Sequence, residues 1–432
     1  MSSEQPIPTM KFEATSALVP KLRFPEFQQA GAWNTITLGA VALISTAKVG
    51  NRACIPMSVT SGVGLVSQME KFGRVIAGSS YANYLQLKKN DFAYNKSATK
   101  EYPEGFIALY CGDELAAVPN SIFTCFRITG DSPVPLFLNY LFLGNLHGRW
   151  LRKFIEVGAR AHGSLSINVK DLLALPVPLP SGKTSVREQQ KIADCLSSLD
   201  ELIAAHAQKV EALKTHKKGL MQKLFPREGE TQPRLRFPEF QNAGEWVATR
   251  LGMHVAIKSG NSPSVYELSS SGLFPFVKVE DLNNCIKYQA SAREFCVDPD
   301  GVVPSRSILF PKRGAAIELN KIRITTVEIL IDTNLMALTP SDDLMVEFLY
   351  YLLSNVGLSH LADTSTVPQI NNKHIVPFSL RLPKEDEQLR IASCLSKLDT
   401  LITAEIQKLE ALRAHKKGLM QQLFPSAEEV EA

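Results

Sequence analysis

The sequence lacks the parts from which catalysis is usually built. No GxxxxGK[ST] loop is present to cradle a nucleotide's phosphates, and the nearest glycine pair, GVGLVS at 62–67, misses the third glycine of a dinucleotide fingerprint. There is no GxSxG elbow and no HExxH, so neither a hydrolase nucleophile nor a zinc-protease site is written. An Asp-Pro-Pro-Tyr or Asn-Pro-Pro-Tyr clamp, which would grip a base for amino-group methylation, is missing too. The seven cysteines form no CxxC pair, which argues against a disulfide framework or a zinc site and fits a reducing cytoplasm. The eight histidines do not cluster; His216 and His415 each precede two lysines on a helical stretch and read as solvated or partner-facing. No apolar run approaches the roughly 20 residues of a membrane span, and the opening MSSEQPIPTMKFEATSAL has no secretory h-region. A net charge of +4 permits a polyanionic partner without demanding one.

What the chain does have is a long internal repeat. PKLRFPEFQQAGAW (20–33) returns as PRLRFPEFQNAGEW (233–246). REQQKIADCLSSLDELIAAHAQKVEALKTHKKGLMQKLFP (187–226) returns as DEQLRIASCLSKLDTLITAEIQKLEALRAHKKGLMQQLFP (386–425), with 27 of 40 positions identical. Between these borders lie two long segments, 34–186 and 247–385, that are largely different. A chain of 432 residues exceeds one ordinary core, so a duplicated domain-plus-helix unit is the economical plan. Its expected parts are an N-terminal tail (1–19), a first domain (20–186), a first helix (187–226), a linker (227–232), a second domain (233–385), a second helix (386–425) and a C-terminal tail (426–432).

The forty-residue copies are rich in Leu, Ala, Lys, Gln and Glu and hold no proline before their closing Leu-Phe-Pro, which predicts helices. Their apolar residues step by three and four along a heptad seam: Ile192, Leu196, Leu199, Ile203, Val210, Leu213, Leu220 and Leu224 in the first copy. The second copy gives Ile391, Leu395, Leu398, Ile402, Leu409, Leu412, Leu419 and Leu423. Polar residues interrupt each seam, His206 and Lys217 in one and Glu405 and Lys416 in the other, as devices that fix register and partner do. Cys195 and Cys394, one residue before a seam leucine, read as small packing residues. A helix of about 38 residues spans roughly 57 Å and needs a helical partner for its stripe. With only the short PREGETQP linker before the second border, antiparallel pairing of the two rods is expected, giving a dumbbell with internal pseudo-twofold symmetry.

The segments between read as α+β. KKNDFAYNK (88–96) and RSILFPKR (306–313) predict strands that end in basic residues, and FPFVKVEDL, KIRITTVEILI and SIFTCFRI predict further short strands. FLNYLFL and VEFLYYLLSNVG predict one helix each. INVKDLLALPVPLP (167–180) and INNKHIVPFSLRLP (370–383) share a layout of short helical turn followed by apolar strand. Segment 34–186 holds 15 Lys/Arg against 9 Asp/Glu, whereas 247–385 holds 13 against 14, so only the first is basic overall.

This plan resembles the specificity subunit of type I restriction–modification enzymes, in which two target-recognition domains are separated by long repeated helices. The similarity rests on the LRFPEF-x5-W entries (Leu22 to Trp33, Leu235 to Trp246), on the Glu-Gln that opens each helix (Glu188-Gln189, Glu387-Gln388), on the IxxxLxxLD continuation and on the HKKGLMQ-x-LFP ending. KSGNSPSVYEL with FPFVKVEDLNN, and SVTSGVGLV with NYLQLKKNDFAYNK, look like the family's domain openings. A departure is that the second domain has no clear Gly-Asp at its RSILFPK step.

The resemblance implies a non-catalytic DNA-recognition and assembly subunit in the cytoplasm, working inside a DNA adenine methyltransferase or type I restriction endonuclease complex. Each domain would read one half of a bipartite, asymmetric target in double-stranded DNA, with half-sites about one turn, roughly 34–36 Å, apart. The repeated helices would dock two methylation subunits, with restriction (translocase/nuclease) subunits as further partners and no membrane. S-adenosylmethionine, ATP and Mg²⁺ would be held by partner chains. The candidate DNA contacts are Lys88, Lys89, Tyr94, Asn95, Lys96 and Lys100 in the first domain, and Lys258, Asn261, Lys278, Lys312, Arg313, Asn371, Asn372 and Lys373 in the second. Asn can pair with adenine and Lys or Arg with guanine, while other cations hold phosphates. The competing expectation is a protein-binding scaffold with two interaction domains on a coiled-coil spacer, its loop charges merely solvated.

Overall fold

The computed structural model describes residues 18–60, 63–100, 102–155, 165–298, 300–363, 367–426 and 430; most of both expected tails lies outside these. The chain divides into two compact units, 1–205 with 409–432, and 206–408. Each unit therefore contains one recognition-type domain and one half of each long helix. The helices run over Ser185–Leu224 and Glu385–Leu423, within two residues of the boundaries the repeat predicts.

In the first unit the entry strand Asn34–Thr37 pairs antiparallel with the exit strand Pro176–Leu179, closing the domain on itself. Two four-stranded sheets follow, ordered 42–45, 123–128, 91–95, 106–109 and 64–67, 55–60, 116–118, 85–87. The helix Pro135–Leu143 lies against the first of them, and Phe92, Phe126 and Phe142 fill the space between, the first two rings stacked 5.1 Å apart. The predicted KKNDFAYNK strand is Asp91–Asn95, and the short turn of INVKDLLALP is the helix Val169–Leu173, capped by Asn168.

The second unit repeats this frame on different residues. Val247–Arg250 pairs antiparallel with Ser379–Leu382. A five-stranded sheet is ordered 255–259, 335–340, 308–311, 323–325, 288–289, and a three-stranded sheet 294–296, 274–277, 330–331. The VEFLYYLLSNVG helix spans Val346–Val356.

The repeated borders are explained by what they touch. Arg23 grips Glu188 with Nε and Nη2, both 2.7 Å from a carboxylate oxygen, and its Nη1 donates to the carbonyls of Ala30 and Gly31. Trp33 Nε1 donates to the same carboxylate at 3.3 Å. Arg236, Glu387 and Trp246 reproduce this arrangement, with distances of 2.8, 2.6 and 3.3 Å. Gln189 then accepts from Val134 N and Gln388 from Met345 N, each fastening a long helix to the start of its domain's own helix. The Arg, the Trp and the Glu-Gln pair thus form one device that docks a domain on the root of its helix. The two ion pairs are almost fully buried, where a bidentate Arg–carboxylate geometry offsets desolvation best.

Within each unit the helix halves run antiparallel. In the second, His206 meets Glu405 while Lys217 meets Asp399, so partner numbers fall as the first helix advances. In the first, Lys416 meets Asp200, while Ile192 and Leu196 share a core with Leu423 and Phe424. No predicted seam residue is exposed: Ile192, Leu196, Val210, Leu224, Ile391, Leu395, Ile402, Leu409 and Leu423 are buried, the remaining seven half-buried.

The ends of the helices explain the LMQ-LFP phrase. Met221, Leu224 and Phe225 enter the core of the second unit, where the Phe225 ring lies 5.4 Å from Phe348 and 6.5 Å from Trp246. Leu423 and Phe424 enter the core of the first, with Phe424 5.3 Å from Phe137. Backbone bonds seal each plug, Leu235 N to Lys223 O and Leu22 N to Gln422 O, both 2.9 Å. Each helix is therefore rooted in one domain and ends in the core of the other.

Candidate nucleic-acid interface

Both domains build their candidate loops on the same strand. Asp91–Asn95 delivers Lys96, and Ile308–Pro311 delivers Lys312. The carbonyl of Lys96 accepts from Leu165 N at 2.7 Å, and that of Lys312 from Ile370 N at 2.9 Å, so the two lysines hold the same place in the frame. Just beyond each of those donors comes an asparagine N-cap, Asn168 or Asn371.

In the second unit four separate segments that carry candidates converge here. Lys312 N donates to Asn334 O at 2.8 Å, Arg313 bridges to Gln369, and Gly314 N donates to Pro368 O. Asn261 bridges to Asp332, one residue past the strand Leu330–Ile331, and Lys278 directly follows the neighbouring strand Phe274–Val277. Lys312, Arg313, Asn371, Asn261 and Lys278 thereby gather at one end of the sheets. Asn372 and Lys373 continue from Asn371 as the exposed first turn of the helix Asn372–Ile375. Several of these groups already have partners. Lys278 pairs with Glu294, Asn261 Nδ2 donates to Tyr266 OH, and half-buried Lys258 donates to Val302 O at 2.8 Å. Burial, and then the neighbouring Arg313, push the Lys312 ammonium below its ordinary pKa.

The first unit splits its candidates. Lys88 and Lys89 precede the strand Asp91–Asn95 whereas Lys96 and Lys100 follow it, and five residues of strand separate the two pairs by roughly 15 Å. Exposed Lys89 pairs with Asp113, while Lys88 and Lys100 are exposed and Lys96 half-buried. Asn95 is half-buried and accepts from Ser97 N. Tyr94 corrects the sequence reading. Its ring is 1 % exposed, its hydroxyl donates to Glu104 O, and burial raises its pKa, so it is a core residue of this domain and not a surface contact. Period two points Phe92 and Tyr94 to the core, and only its basic neighbours make the tyrosine look like a DNA contact.

Sequence reasoning missed the residues that hold the loops. Buried Asp91 accepts from Lys88 N at 2.7 Å and is gripped by Arg127, whose Nε and Nη2 lie 2.5 and 2.7 Å from its carboxylate. Buried Asp281 accepts from Lys278 N at 2.9 Å and pairs with Arg293 Nε at 2.8 Å. The shared Lys-x-x-Asp spacing, KKND and KVED, was the available signal. Among the described residues no three His, Cys, Asp or Glu side chains converge as metal ligands would, and no helix is long and apolar enough to cross a membrane.

Comparison with known proteins fits this frame. Residues 244–413 match the family described as the type I restriction modification DNA specificity domain. The chain is similar to the type I restriction enzyme MjaX specificity subunit of Methanocaldococcus jannaschii, with 27% identity over 74% of each chain. It is also similar to the EcoR124I/EcoR124II specificity subunit of Escherichia coli, with 23% identity over 52% of this chain and 56% of that one. In fold it resembles a chain solved in work on complex assembly and conformational transition of the type I R-M system, at TM-score 0.58 and 19% identity, covering 91% of this chain and 98% of that one. The type-I restriction-modification system S subunit from M. genitalium gives TM-score 0.55 at 16% identity, covering 95% and 100%. With a specificity domain matched over residues 244–413 and specificity subunits among its sequence relatives, the chain is similar to the DNA-recognition subunits of type I restriction–modification systems.

Proposed function

We propose that this chain reads a bipartite, asymmetric site in double-stranded DNA, one half-site per domain, and docks two methylation subunits on its repeated helices. The observation that supports this most is one frame carrying two different sets of loop residues. The strand ends, caps and helix roots correspond, yet Asn95-Lys96 in one domain answers to Pro311-Lys312-Arg313 in the other. Identical heads would read a palindrome; unlike heads read an asymmetric target. The repeated residues left exposed on the helices, such as His216 and His415 of the two HKK phrases, support the docking role, since Lys217 and Lys416 are already used internally. The chain contributes recognition and assembly but no bond-making group, and S-adenosylmethionine, ATP and Mg²⁺ belong to the partner chains.

Selection from randomised duplexes, by the chain with its methylation subunits, tests the reading. The expected product is one split motif with unlike halves, bound less tightly as salt rises because lysines replace counterions on phosphates. A scaffold whose domains bind only proteins would enrich no motif.

A further inference from the structure

The second unit contains a cleft of about 1320 Å³ between the end of the first long helix, the middle of the second (396–407) and the segment 285–288. That volume exceeds the roughly 300–1,000 Å³ usual for a small-molecule site, so a small ligand would occupy part of it. Five cationic side chains line it, Lys214, Lys217, Lys218, Arg227 and Lys287; Lys214 pairs with Glu211 and Lys217 with Asp399, which leaves Lys218, Arg227 and Lys287 as its excess of positive charge. Asp399 is already engaged, accepting from Lys217 Nζ and from Tyr351 OH, each at 2.5 Å.

Lys287 is the unusual member. Only 7% of it is exposed, and its ammonium donates to two neutral hydroxyls, Tyr351 at 2.8 Å and Ser396 at 3.0 Å. It lies 4.5, 5.1 and 5.2 Å from the ring centroids of Tyr351, Tyr288 and Tyr350. The ammonium is held directly by hydroxyls and aromatic faces, while the carboxylates of Asp399 and Glu347 act on it only through space. Burial lowers its pKa. Beside it Tyr288 is 47% exposed and Ile286 67% exposed, presenting flat and apolar surface next to the cations. Low-dielectric walls lined by one sign of charge concentrate anions of the opposite sign.

We infer that this cleft binds a phosphate-bearing small molecule of the mononucleotide class, with Lys287 and Lys218 holding the phosphate and Tyr288 the base. The site is distinct from the loops at the sheet ends described above, and nothing in it requires DNA.

Calorimetric titration of the full chain with AMP, inorganic phosphate and adenosine tests this. AMP is expected to bind saturably and more tightly than either half of it. Lys287→Met should weaken AMP about tenfold or more, the worth of one hydrogen bond to a charged group. Lys218→Gln and Tyr288→Ala, both at exposed positions, should weaken it several-fold and carry the test if Lys287→Met does not fold. No saturable binding of AMP at millimolar concentration would overturn the inference, as a cleft shaped for a protein partner would give. So would variants that bind AMP as the parent chain does.

Discussion

Single residues decide how the repeat holds together, and Glu188 and Glu387 carry the largest share. Each accepts from a buried arginine and from a tryptophan indole. Replacing Glu188 with Ala leaves Arg23 buried without a counter-charge, which should cost about 3–5 kcal/mol in urea unfolding; a loss under about 1 kcal/mol would show the pair to be incidental. The polar seam residues are matched to one another. Tyr140–Asp200–Lys416 and Tyr351–Asp399–Lys217 are equivalent chains of bonds, and His206 faces Glu405, its own equivalent in the other copy. Like residues at such a self-facing place would repel, and a His opposite a Glu does not. Lys209, and then His206, hold the Glu405 carboxyl below its ordinary value of 4.5. A depressed carboxyl stabilises the fold fully above pH 4.5, and that contribution disappears as pH falls through the lowered value. Thermal unfolding of the parent chain and Glu405→Gln, from about pH 7 to about pH 3, should show a gap that closes at the acid end. A gap that widened on acidification would contradict this assignment.

At the scale of elements, the plugs at the helix ends make a counterintuitive prediction. Phe424 follows the second domain in the chain but packs on Phe137 of the first unit. Phe424→Ala should cost about 3–5 kcal/mol, and hydrogen exchange should locate the loss in strands 91–95 and 123–128. Loss confined to the sheet containing 308–311 would refute the exchange of helix ends. Much of this scale was legible in the sequence, because heptad spacing and a forty-residue repeat are periodic signals. The helices, the strands of KKNDFAYNK and RSILFPKR and the turns before the exit strands all form where the pattern puts them. What periodicity could not give was long-range pairing. Nothing local tells that Arg23 would meet Glu188, that LMQ-LFP would fill the other domain's core, or that Asp91 would fasten the lysine turn. The candidate loops were legible as sets of basic and amide residues, but burial was not. Tyr94 points inward, and Lys88 with Lys89 lies at the opposite end of a strand from Lys96.

At the scale of the whole molecule, the chain is one structural sentence written twice with different nouns. The frame is common to both copies; loop residues and charge are not, with 15 basic against 9 acidic residues in 34–186 and 13 against 14 in 247–385. Unequal heads imply unequal salt dependence. Neutralising Lys96 and Lys100 in the first domain should reduce the slope of binding against salt by about one for each phosphate left without its lysine, and an unchanged slope would remove them from the interface. The central claim, that each domain independently specifies half of one target, is tested most directly by exchanging residues 34–186 for the corresponding domain of a relative and mapping methylation on genomic DNA with the cognate partners. One half of the modified motif should change and the other should stay as it was. A motif that changed in both halves, or in neither, would contradict the account.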